Sequence, residues 1–303
     1  MIVNYFNNTK PVNFIFLSIL LAFVVGFSLY SQEISLSITA IFNIVFSVLT
    51  FALFYFSSKD KVLSSKNDFG ILFYVLLSSL FIDSFHDLHK TVSYFFVLLG
   101  LQQLYALQHK NVLAKKKLFN NGLFFGVAAV FYPLSIVFIL LTYVANLIFN
   151  KITWRMFVIP IIGFITPIFF IFVLDDLFSF RLTTNLTFLF QLENALFLKP
   201  ANHYFIAAFI FILTVFSILN ISSNLNSKLF FYKQYHALVI LFLIIALFLL
   251  FFTPNKNGSE TIFIIYPLSI LFANYIAVIQ KKWISNFIII SLLFVVVLKN
   301  TLF

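Results

Sequence analysis

Apolar residues in this chain fall in long runs separated by short polar segments, without the strict alternation of a strand or the half-polar stripe of a surface helix. Eleven runs are read, at approximately 13–30, 36–56, 69–82, 91–108, 118–132, 134–149, 154–173, 204–219, 236–252, 262–278 and 284–298. A helix needs about 20 residues to cross a hydrocarbon core of roughly 30 Å. Several runs are shorter, so tilt, local thinning or burial among neighbours must make up the difference. The pattern predicts an all-α, polytopic transmembrane helical bundle of about eleven spans (range 9–11), forming a single integral membrane domain over residues 1–303. Lys10 before the first run imitates a signal peptide, yet no small-x-small cleavage site follows, so that run is read as a retained span.

The stretch 118–149 is too long for one ordinary span and is interrupted by Tyr132-Pro133. Proline disfavours helix at the preceding residue and removes a backbone donor, so a tight turn between two short helices competes with one kinked helix. Charge decides between them. With two spans and a cytoplasmic N-terminus, fourteen of the nineteen Lys and Arg lie in inside loops, leaving Lys90, Arg181, Lys199, Lys256 and Lys299 outside. One span instead gives twelve against seven, a weaker bias, so eleven spans with the N-terminus cytoplasmic is preferred. The carboxylates fall the other way, with Asp60 and Asp68 inside and Glu33, Asp83, Asp87, Asp175, Asp176, Glu193 and Glu260 outside.

Composition agrees with a lipid-solvated chain: 62% hydrophobic, 20% aromatic and 9% charged, against roughly 25% charged in soluble domains. A formal charge of +10 is carried in short loops and forms no continuous patch, which argues against nucleic acid. The partners expected are the bilayer, anionic lipid head groups at the cytoplasmic Lys clusters, and other membrane proteins. Localisation in the bacterial cytoplasmic (inner) membrane is expected. With no cysteine, disulfides and thiolate chemistry are excluded. No cofactor is predicted, and no ionisable residue stands near the centre of a run, which disfavours an ion-coupled transporter.

Candidate chemistry is sparse and gathers on the outer side. Asp83, His86, Asp87 and His89 form a D-x-x-H-D-x-H cluster after the third run; on a helix the first three would share a face, and carboxylate with imidazole is a possible metal set. A solvated loop is the plainer reading. Residues 182–197 predict an amphipathic interfacial helix, with Glu193 inside its apolar arc, where an ionised carboxylate is costly unless paired or hydrated. Glu193, Asp87 and Glu33 are therefore the candidate acid/base residues. Gly122 and Gly126 form a G-x-x-x-G that permits close helix approach, read as packing within the bundle in preference to dimerisation. Pro160, Pro167 and Pro267 are expected to kink their helices, with neighbours satisfying the freed carbonyls.

Several segments carry a resemblance: Lys10-Pro11-Val12-Asn13-Phe14, Lys117-Leu118-Phe119-Asn120, Phe131-Tyr132-Pro133-Leu134, Val158-Ile159-Pro160 with Ile162-Gly163-Phe164, and Tyr266 to Tyr275. Together they resemble an uncharacterised family of bacterial polytopic membrane proteins, a domain of unknown function often auto-named beta-carotene monooxygenase. Gln102-Gln103 departs from it, since such proteins more often look basic there. The monooxygenase name implies several histidines meeting at one depth, whereas His86, His89 and His203 are expected near the outer face and His109 and His236 near the inner one. That name is rejected, and whether the chain is an enzyme stays open. Three functions remain: an envelope-associated scaffold or assembly factor, a polyprenyl-lipid-dependent glycosyltransferase-like enzyme, and a lipid or apolar-solute carrier without ion coupling.

Overall fold

The computed structural model describes residues 2–31, 38–58, 67–108, 113–149, 153–178, 201–224, 230–253, 257–279 and 281–302. Among them are twelve α-helices and no strand: α1 (Ile2–Phe6), α2 (Pro11–Ser31), α3 (Ile38–Ser58), α4 (Phe69–Leu80), α5 (Leu88–Tyr105), α6 (Ala114–Phe131), α7 (Ile139–Ile148), α8 (Trp154–Phe178), α9 (Ala201–Asn224), α10 (Phe230–Phe252), α11 (Ile262–Val278) and α12 (Lys282–Leu302). Each apolar run of the sequence coincides with one of α2 to α12. Six of these helices, α2, α3, α8, α10, α11 and α12, are long and apolar enough to cross a membrane. The first helix, α1, is too short to show a period in sequence.

The break at Tyr132 is real. Tyr132 is extended (φ −140°, ψ 100°), and Pro133 opens a 3-10 turn, Pro133–Phe138, that leads into α7. The chain doubles back there, because Thr142 donates to the side-chain oxygen of Asn121, 21 residues earlier, and Asn121 donates to the Gly100 carbonyl at 2.9 Å. One polar side chain thus ties α5, α6 and α7.

The centre is built from α4 and α11. All twelve residues of α4 are buried. Such burial is tolerable because Ser78 and Ser79 return their hydroxyls to the Tyr74 and Val75 carbonyls (2.8 and 2.9 Å), and Tyr74 donates to Thr50 (3.2 Å). Around them Phe51, Phe54, Tyr74, Phe242 and Tyr266 pack ring against ring, with centroids 4.8 to 5.5 Å apart. These aromatic pairs fill the space between α3, α4, α10 and α11.

The helix α8 joins differently, through a seam of glycines. A methyl placed on Gly122 or Gly126 of α6 would strike the backbone of α8 at Pro160 or Phe164, and one on Gly163 would strike the Phe119 carbonyl of α6. Close approach of this kind lets two helices associate in lipid, where burial of apolar surface gives no advantage over contact with acyl chains. The G-x-x-x-G is therefore a contact within the bundle, as its sequence suggests. The helix runs on through Pro160 and Pro167. The Met156 carbonyl, four residues before Pro160, accepts from Asn146 at 3.0 Å.

Long-range hydrogen bonds join groups that the run pattern places on the same side. At the end bearing the N-terminus, the Val3 amide donates to Asn286 (3.2 Å) and the Lys10 amide to Asp68 (2.9 Å). At the opposite end, Lys299 reaches the Leu80 carbonyl (2.8 Å).

Candidate functional site

Between α4 and α5 the chain makes a compact knot of charged side chains. After Leu80 a 3-10 turn, Ile82–Phe85, carries Asp83, and His86 follows it. Asp87 is extended (φ −104°, ψ 110°) and caps α5, its carboxylate accepting from the His89 amide at 2.9 Å. Aspartate is favoured at this position because its oxygen satisfies an amide that the first helical turn leaves free. Asp87 thereby interrupts the helix on which Asp83, His86 and Asp87 would have shared a face. Ser84 and Phe85 are fully buried, and Asn43 donates to the Phe85 carbonyl, so the segment is packed and not a free loop.

The four residues of the D-x-x-H-D-x-H cluster diverge. His86 bonds through Nε2 to the Ser28 hydroxyl of α2 (2.6 Å), while its Nδ1 lies 3.9 Å from Asp83. Burial pushes the His86 imidazole below its usual pKa; Asp83 opposes that shift and Lys299 adds to it. The exposed His89 ring lies 6.4 Å from that of Phe131. Among the described residues, no three His, Asp or Glu side chains come together as a metal-ligating group. His236 is buried and stacks on Tyr232 at 4.7 Å. The described residues do not include His109, and of His203 only its backbone in α9 is described.

Two lysines organise the knot, and neither is a candidate from the sequence pattern. Lys90, 6% exposed, directs its ammonium at the Ser259 hydroxyl (2.7 Å), the Glu260 carboxylate (3.4 Å) and, more loosely, Asp87 (3.9 Å). Glu260 is equally buried, and the Tyr132 ring lies 5.6 Å from the ammonium. Lys299 donates to the Leu80 carbonyl and approaches Asp83 at 3.3 Å, placing a cation where the C-terminus of α4 leaves carbonyls free. The turn carrying Ser259 and Glu260 begins at Gly258, in the left-handed region (φ 79°), where an added Cβ would lie 2.9 Å from that of Asp83. Only glycine takes both that backbone and that contact easily. Lys90 and Glu260 are 170 residues apart, and no local spacing announces such a pair.

Asp68 forms a smaller counterpart at the other end. It is buried before α4 and accepts from the Lys10 amide (2.9 Å) and the Asn13 side chain (2.7 Å), while its own amide donates to Phe6 (2.9 Å). The Lys10-Pro11-Val12-Asn13 segment is thus the clasp that holds the start of α2 to α4. Glu33, Glu193, Arg181 and the whole 182–197 segment lie outside the described residues.

Chemically, the knot offers one buried ammonium–carboxylate pair, a partly exposed capping carboxylate and a desolvated imidazole. No curated protein and no solved structure matches the chain. A model of a family of unknown function matches residues 8–301, which takes in every segment that carried the resemblance. With the match covering nearly its whole length, the chain belongs to that family of unknown function, DUF6427.

Proposed function

We propose that this chain is a non-catalytic, multi-pass scaffold or assembly factor of the bacterial cytoplasmic membrane, crossing it eleven times as one domain with the N-terminus inside. The observation that carries the reading is how the described charged side chains of the knot, Asp83, Asp87, Lys90, Glu260 and Lys299, are engaged. Lys90 with Glu260 holds α5 to the start of α11, Lys299 with Asp83 holds α12 to α4, and Asp87 caps α5. Groups committed to holding helix ends in place leave a rigid body whose outer surfaces can receive partners. A carrier fits less well, because rings fill the described centre of the bundle.

The test is complementation of a deletion strain together with crosslinking and purification in mild detergent. Glu33→Gln, Asp87→Asn and Glu193→Gln are each expected to complement, and a stable membrane-protein partner is expected to co-purify. Loss of function without loss of folded protein for any of the three, or a monodisperse lone protein, sinks the scaffold reading. The polyprenyl-lipid glycosyltransferase reading keeps one observation in its favour. Asp87, its side chain 37% exposed, lies beside the buried Lys90, an arrangement that suits a cation-steadied acid/base. Inactivity of Asp87→Asn with normal folding would move the assignment there.

A further inference from the structure

At the end of the bundle opposite the charged knot, a crevice of about 270 Å³ opens between the ends of α3 and α5 and the first turn of α6. It is lined by Phe56, Ser57, Gln102, Gln103, Tyr105 and Lys117, with Ala106 at its side. The volume is just under the roughly 300 Å³ at which small-molecule pockets begin, so it takes a head group and not a whole lipid. Three features give the crevice a chemical preference. Among the described residues, Lys117 is the single charged one in its wall, and no described carboxylate lines it. The Gln103 side-chain oxygen is buried without a hydrogen-bond partner among the described residues. The helix α6 also opens without a side-chain cap and with Lys115, Lys116 and Lys117 in its first turn, where the helix dipole already favours an anion and disfavours cations. An exposed apolar stripe of α3 (Phe42, Val45, Leu49 and Phe56) runs along the helix to the crevice.

We propose that this crevice binds the phosphate-bearing, hydroxylated head group of an anionic phospholipid. The Lys117 ammonium meets the phosphate, Gln103 accepts from a head-group hydroxyl, and the acyl chains lie along the α3 stripe. The Gln102-Gln103 pair, an oddity by resemblance, thereby has a role: Gln102 is tied to the Leu53 carbonyl (3.1 Å) and shapes the wall, while Gln103 faces the ligand. The site stands independently of the scaffold reading.

The full chain in phosphatidylcholine nanodiscs, titrated with phosphatidylglycerol and read by native mass spectrometry, tests it. One saturable site is expected, weakened about tenfold or more by Lys117→Gln, since a hydrogen bond to a charged group is lost. Ala106→Trp, which fills the crevice, should abolish it, and Lys117→Arg should restore it. Lys282→Gln removes an exposed cation on the side where the sequence pattern also puts Lys117, and should change nothing. If Lys282→Gln weakens binding as much as Lys117→Gln, only surface charge is being read and the proposal is overturned. Inorganic phosphate is the second arm: displacement of the lipid by phosphate alone makes this a soluble-phosphate site and overturns the lipid assignment, whereas indifference to phosphate supports it.

Discussion

Two helices with the same vocabulary have opposite surroundings. Both α8 and α11 are long, apolar and carry proline within the helix. Yet 17% of the α8 span is buried, against 78% of that containing α11. Lipid tails are as apolar as leucine, so hydropathy cannot tell a lipid neighbour from a protein neighbour. The polar groups can. In α11, Tyr266 donates to Tyr105 (3.2 Å), Ser269 returns to Ile265 (2.6 Å), and the Leu271 carbonyl accepts from Ser217 of α9 (2.8 Å). In α8 the contact surface is a narrow line through Gly163, Pro160 and Pro167, and Ile162, Phe169, Phe170 and Phe172 face outward.

The largest effect is expected where the start of α11 is anchored. Lys90→Met leaves Glu260 buried without its cation, and removing one partner of a buried pair costs about 3–5 kcal/mol. Thermal unfolding in detergent should show a collapse, and the double variant with Glu260→Gln should recover most of it. If the single and double variants are equally unstable, the pair is not what anchors α11.

Next in size is the seam of α8. Gly122→Ala adds one methyl against a backbone carbonyl that cannot step aside, so a loss of about 1–3 kcal/mol is expected. Hydrogen exchange should rise in α8 and stay unchanged in α11. Gly26→Ala is the control, since its added methyl meets only Ile44 at 3.8 Å.

A smaller effect comes from His86. Its folded pKa is lowered mainly by burial, so the neutral form is preferred in the native state. The stability this contributes is present above the unfolded value of about 6.5 and declines as pH falls through it toward the folded value. Melts from about pH 7.5 to 5 should slope downward for the native chain and less so for His86→Gln; parallel slopes would remove His86 as the cause. Smallest of all, Phe169→Ala and Phe170→Ala on the outward face of α8 are expected to change stability by within about 0.5 kcal/mol, as at other surface sites. A larger loss would mean that α8 has a protein neighbour there.

The legibility of the fold and of the site differ for one reason. Helix position was legible because a run of apolar residues is a local property, and the reversal at Tyr132-Pro133 was legible because proline acts on its immediate neighbour. The glycine pair was legible too, since close approach demands small residues whatever the partner. The charged knot was not. The sequence drew attention to Asp83, His86, Asp87 and His89 because they are adjacent, but Asp87 turned out to be a helix cap, and the organising cations came from Lys90 and Lys299 through partners 170 and 216 residues away.

From the residues alone came the all-helical class, the apolar helices and their breaks, the separation of charges into two groups, and the absence of thiol chemistry. These follow from composition and short-range stereochemistry, which need no neighbours to act. Tertiary structure alone decided which apolar helices are central and which are peripheral, which lysine meets which carboxylate, and that Gln103 and Lys117 share a crevice. In a chain this uniformly apolar the hydrophobic effect does not rank one helix contact above another, so those choices rest on a few polar groups and glycines, whose partners exist only once the chain has folded.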